Sequence, residues 1–140
     1  MKLKITVPII AIIFLCSYLP ALANGGVNWK VTIKNPTYMQ STVWMKYEKF
    51  GIKQTEYRTI YPGGSTTYEF GSWCPTEVHG YIKDDFDGKA SVPMTTTDIL
   101  GNTFGVGFPV CNNSKLKICR VAGGKPNTHT KPGDYTFCKD

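Results

Sequence analysis

The sequence predicts an all-β fold: an antiparallel β-sandwich, or a small barrel, of about eight short strands reinforced by two disulfides. Three observations carry that expectation. Apolar and polar residues alternate with period two in most segments, and no window shows amphipathic helical spacing. Pro, Gly, Asn and Asp clusters punctuate the chain at short intervals. Four cysteines, Cys74, Cys111, Cys119 and Cys138, follow a segment that reads as a secretory leader.

That leader is residues 1–23. Lys2 and Lys4 form a charged start, Ile5 to Leu15 an apolar run, and Ala21-Leu22-Ala23 a small-x-small cleavage site, with the cut expected before Asn24. Bulky Leu15 before Cys16 argues against a lipid-anchored cysteine. Residues 24–140 are then one β domain in a secreted, periplasmic or extracellular protein. Removing Lys2 and Lys4 lowers the formal net charge from +6 to +4. Lysines are scattered, and the only arginines are Arg58 and Arg120, so nucleic acid is not an expected partner. The modest positive charge leaves an anionic membrane surface open as a partner.

Val27, Trp29, Val31 and Ile33 alternate with Asn28, Lys30, Thr32 and Lys34. This is the clearest strand, and its phase places Trp29 in the core. Asn35-Pro36-Thr37 ends it. Ser41–Phe50 follows, with Val43, Met45 and Tyr47 on one side and Trp44, Lys46 and Glu48 on the other. Trp44 therefore either lies over neighbouring lysine stems or faces a partner. Gly51 is expected to open a loop.

Tyr57, Thr59 and Tyr61 oppose Arg58 and Ile60, Pro62-Gly63-Gly64-Ser65 reverses the chain, and Tyr68 and Phe70 share a face. Trp73-Cys74 supplies a large apolar group and a cross-link. In Glu77–Lys83, Val78, Gly80 and Ile82 alternate with His79, Tyr81 and Lys83. Asp84-Asp85-Phe86-Asp87-Gly88 reads as a solvated type I′ hairpin turn. Its carboxylates suggest calcium, but Lys83 stands where a first ligand belongs and no glutamate closes the loop. No cofactor or metal is expected.

Ala90–Met94 is expected as an edge strand because of Pro93. Phe104, Val106, Phe108 and Val110, alternating with Gly105, Gly107 and Pro109, suggest a further strand with one nearly bare face. Lys115–Val121 and Tyr135–Cys138 close the fold, separated by the long Gly123–Asp134 loop. If Asn112-Asn113 makes a hairpin turn, Cys119 cannot face Cys111. Of the three possible connectivities this favours Cys119–Cys138 across neighbouring strands, leaving Cys74–Cys111.

Enzymatic motifs are missing. No Gly-x-Ser-x-Gly, His-Glu-x-x-His or phosphate-loop pattern occurs, and the two histidines, His79 and His129, have no spacing that enforces a metal pair. Binding is the better class. Aromatics make up 13% of the chain, with eight tyrosines and three tryptophans, side chains that offer contact area at little entropic cost. The candidate contact residues are Trp44, Trp73, Tyr81, His79, Lys83 and His129. The expected partner of this monomer is a cell-surface glycan or protein, with an enzyme-inhibitor role through the Gly123–Asp134 loop as an alternative. The run Val31-Thr32-Ile33-Lys34-Asn35, the Pro62-Gly63-Gly64-Ser65 turn and Gly80-Tyr81-Ile82 resemble the layout of actinoporin- and aegerolysin-type β-sandwiches. That resemblance implies membrane binding. The four cysteines depart from the actinoporin pattern, as does the lack of an amphipathic N-terminal helix.

Overall fold

Alternating side chains have two faces to satisfy, and two sheets packed face to face bury one face of each. The computed structural model describes residues 26–140 apart from Gly124 and Pro126, so the expected leader and its cleavage site lie outside the described residues. The strands are β1 (Lys30–Lys34), β2 (Ser41–Lys49), β3 (Ile52–Ile60), β4 (Ser65–Glu69), β5 (Pro75–Lys83), β6 (Ser91–Pro93), β7 (Ser114–Arg120) and β8 (Tyr135–Lys139). One sheet has the order β4-β1-β7-β8, the other β3-β2-β5-β6. The chain is thus an all-β sandwich, with no helix among the described residues. Every strand pair is antiparallel except β1 and β7, which run parallel. The whole second sheet lies between them in sequence, a crossover long enough to return the chain in the same direction.

The core fills from both sheets at period two. Val31 and Ile33, Tyr68, Leu116 and Ile118, and Tyr135 and Phe137 come from the first sheet; Val43 and Met45, Ile60, and Val78 and Ile82 come from the second. Tyr68 reaches across the layers and donates its hydroxyl to the Val43 carbonyl at 3.0 Å, so its one buried polar atom is paired. Trp29 is half-buried against this core. Gly80 sits in the middle of β5, where a Cβ would collide with the Met94 side chain and stand 3.1 Å from Phe137 and from the Thr42 carbonyl. A bare residue here lets the two layers close.

Three local expectations change. Phe50 and Gly51, with φ of 52° and 73°, form a two-residue hairpin turn between β2 and β3, so β3 begins at Ile52 where a loop was expected. Positive φ at both positions suits the twist of a hairpin. The Asp84–Ala90 connection is longer than a type I′ turn, and only Gly88 has positive φ within it. The Phe104–Val110 segment is a compact loop and not a strand. Gly105, Gly107 and Pro109 offer little to a ladder, and the backbone bonds instead run from Gly107 to Thr76 (3.2 Å) and from Val110 to Pro75 (3.0 Å). Asn112-Asn113 therefore does not join two strands.

The disulfides are Cys74–Cys111 and Cys119–Cys138, with Cα separations of 4.7 and 6.0 Å. The first ties the start of β5 to the loop that feeds β7, joining the layers. The second crosses diagonally between β7 and β8, two positions off the Lys117–Cys138 register pair. Such bonds belong to an oxidising environment. Replacing Cys119 and Cys138 together by serine is expected to lower the unfolding free energy by about 3 kcal/mol, and the Cys74/Cys111 pair, which closes a longer loop, by about 4 kcal/mol. Urea denaturation of the two double variants checks this order.

Candidate binding surface on the outer face of the second sheet

The outer positions of β2, β3 and β5 form one surface. Trp44 is opposite Tyr57 on one side and His79 on the other, and Tyr81 lies one diagonal step away. Ring centroids stand 5.3 Å from Trp44 to Tyr57, 5.4 Å to His79 and 5.1 Å to Tyr81. The Trp44 and His79 planes are parallel within 3°. Tyr57 is 63% exposed and Tyr81 42%. Four rings thus abut on a face turned to solvent.

His79 is held at both nitrogens. Nε2 lies 2.6 Å from Glu77 Oε2 and Nδ1 lies 2.9 Å from Thr96 Oγ1. A carboxylate only accepts, so Nε2–H donates to Glu77, and in the neutral ring Nδ1 accepts from the Thr96 hydroxyl. The bond from His79, helped by Lys46 at 3.5 Å, holds the Glu77 carboxyl below its ordinary range against partial burial. A hydroxyl, an imidazole and a carboxylate in this order have the connectivity of nucleophile, base and orienting group. Here they also lock the plane of the ring that stacks on Trp44. Beside the rings a recess of about 270 Å³ is lined by Lys46, Glu48, Lys53, Thr55, Thr76 and Glu77.

Of the expected contact residues, Trp44, His79 and Tyr81 come together. Lys83 continues the same face of β5, but its amine is engaged with the Lys89 carbonyl (3.3 Å) and Ser91 Oγ (3.1 Å). Trp73 is elsewhere, half-buried against the core with its ring 4.8 Å from Phe50. Tyr57, Glu77 and Thr96 complete the surface without having been candidates. Tyr57 follows from the turn: with Phe50-Gly51 as the two-residue loop, Lys49 pairs with Ile52 and Trp44 with Tyr57.

His129 is apart from His79, in a polar cluster that replaces the expected solvated turn. Asp84 and Asp85 are buried, at 2% and 7% exposure. Asp84 accepts from Thr130 N at 2.5 Å and Phe86 N at 3.4 Å on one oxygen, and meets His129 Nδ1 at 2.7 Å on the other. Asp85 accepts from Arg120 and from the Tyr135 hydroxyl at 2.7 Å. These bonds clamp the connection after β5 to the loop before β8. Asp84, Asp87 and His129 each offer a ligand atom within 4.8 Å of the others, the one such group among the described residues. Asp84 is already taken up by the clamp.

No protein-family model, curated protein or solved structure matches this chain. The likeness to actinoporin- and aegerolysin-type sandwiches therefore rests on turn and strand signals alone.

The hydrogen bond from the Thr130 backbone, with help from His129, holds the Asp84 carboxyl far below its ordinary range. A carboxylate whose folded value lies under its unfolded value of about 3.9 contributes stability above that pH and loses it as pH falls. Asp84→Asn should therefore be less stable than wild type at neutral pH, with the difference shrinking below about pH 4. Urea midpoints measured across pH check this; a difference independent of pH contradicts it.

Proposed function

We propose that the protein is a secreted, non-enzymatic binding module that recognises a cell-surface glycan on the outer face of β2, β3 and β5. The observation that carries this reading is the set of four contiguous rings, Trp44, Tyr57, His79 and Tyr81, beside a recess with both charges. Pyranose rings present apolar C–H faces that stack on aromatic side chains, and their hydroxyls bond to carboxylates, amines and threonine hydroxyls such as those of Glu77, Lys46 and Thr55. The His79 clamp adds preorganisation: a ring held at both nitrogens has little conformational freedom left to lose on binding. Secretion is supported by the leader-like residues 1–23 and by two disulfides.

A glycan array followed by titration of the best oligosaccharide tests this reading. Trp44→Ala should weaken binding by at least about tenfold, the scale of a central aromatic contact, while costing less than about 2 kcal/mol of stability. Trp29→Ala should do the reverse, leaving affinity unchanged and costing about 3 kcal/mol through lost core packing. Capture of a protein with no glycan bound would move the partner to a polypeptide. Ester hydrolysis lost in both His79→Ala and Thr96→Ala would replace binding by catalysis.

A further inference from the structure

One end of the sandwich carries the apolar residues that neither the core nor the aromatic face absorbs. The segment before β1, the β2–β3 hairpin, the connection after β4 and the loop between β6 and β7 converge there. Trp29 N bonds Gly71 O at 2.9 Å, the Tyr47 and Phe70 rings stand 5.1 Å apart, and Cys74 is joined to Cys111. At this end Phe104 is 85% exposed, Phe50 80%, Phe108 69% and Ile52 63%. The opposite end exposes Tyr38 and Tyr61, whose hydroxyls want water, together with Phe86 and Val121.

The charge around these tips is positive. Lys30, Lys46, Lys49, Lys53, Lys115 and Lys139 flank them, against Glu48, Glu69, Asp140, Glu77 paired to Lys46, and Asp98 capped by backbone N–H groups. Glu69 is taken by Lys30 at 3.0 Å and Asp140 by Lys34 at 2.6 Å. Among the described residues Lys49, Lys53, Lys115 and Lys139 make no ion pair. A groove of about 530 Å³ beside β1 and β7 is lined by Lys30, Lys115 and Lys139 together with Thr32, Leu100 and Asp140.

We propose that this end docks on a bilayer containing anionic lipid. Phe50, Phe104 and Phe108 enter below the headgroups, and the lysines stay at the phosphates. A bilayer fits better than a folded partner because the tips stand on two loops, Phe50 on the β2–β3 turn and Phe104 and Phe108 on the β6–β7 connection. Phe104 and Phe108 have no aromatic neighbour among the described ring pairs. A rigid surface would need a matching pocket for each tip, whereas a fluid one accepts them all. Buried apolar area and attraction between lysine and anionic lipid then act together. The site is separate from the Trp44 face, so either can fail without the other.

Co-sedimentation with vesicles of phosphatidylcholine, with and without phosphatidylglycerol, tests the proposal. The wild type should bind the anionic vesicles and release as salt is raised. The variant Phe50→Asn/Phe104→Ser/Phe108→Ser should bind at least about tenfold more weakly while keeping its circular dichroism. Asparagine tolerates the positive φ at position 50, so Phe50→Asn alone gives a variant with an undisturbed turn and an intermediate loss. Phe86→Ser, at the other end, and Trp44→Ala should bind as the wild type does. The proposal is overturned if the wild type ignores every vesicle, if the triple variant still binds, or if Phe86→Ser loses binding equally. Phenylalanine-dependent self-association without lipid would assign the end to a second copy and overturn it too.

Discussion

Strand β2 lies inside the second sheet, bonded to β3 on one side and to β5 on the other, and its register with both serves two faces at once. Val43 and Met45 point into the core, while Trp44 between them points out. On β5, Val78 and Ile82 are buried and His79 and Tyr81 face outward. A slip of one residue would expose the aliphatic side chains and bury Trp44 among them, which the core cannot accommodate. The hydrophobic effect thus positions the aromatic face indirectly, by fixing the phase of the strands beneath it. Each ring pair adds about 1 kcal/mol to the same register.

The two ends of the sandwich are tied differently. One is held by buried charge: Asp85 pairs with Arg120 and Tyr135 inside the protein, and Asp84 is wrapped by Thr130 and His129. Burying such groups is expensive, and removing one partner of a buried pair costs about 3–5 kcal/mol because the other is stranded. These bonds give the Gly123–Asp134 connection fixed points at His129 and Thr130. The other end is tied by Cys74–Cys111, and its backbone N–H groups are met by other backbone and by the side chains of Asn28, Asn113 and buried Asp98.

Most of the fold was legible because it obeys simple alternation. Val31/Ile33, Val43/Met45 and Tyr68/Phe70 show their buried side directly in the sequence. The cysteine pairing came out although one premise failed: Asn112-Asn113 does not join two strands, yet Cys119 and Cys138 still sit on neighbouring ones. Phe104–Val110 misled because its apolar period was real but its other face, glycine and proline, could not sustain a ladder. The Phe50-Gly51 turn was hidden because phenylalanine rarely takes positive φ. With it went the cross-strand pairing of Trp44 and Tyr57, so Tyr57 alone of the four rings was not a candidate beforehand. Asp84 and Asp85 read as surface because a run of aspartates normally is; their partners Thr130, Arg120 and Tyr135 lie at least 35 positions away in the chain.

Under the proposed function Trp44 forms the floor of a ligand surface and is not a residue covered by its neighbours for stability alone. A protein carrying Trp29→Phe and Trp73→Phe leaves Trp44 as the sole tryptophan, so its fluorescence reports this face directly. Acrylamide quenching should be substantial in the free protein and fall when the best oligosaccharide from the array is added. Saturable oligosaccharide binding with unchanged quenching of Trp44 would contradict that role.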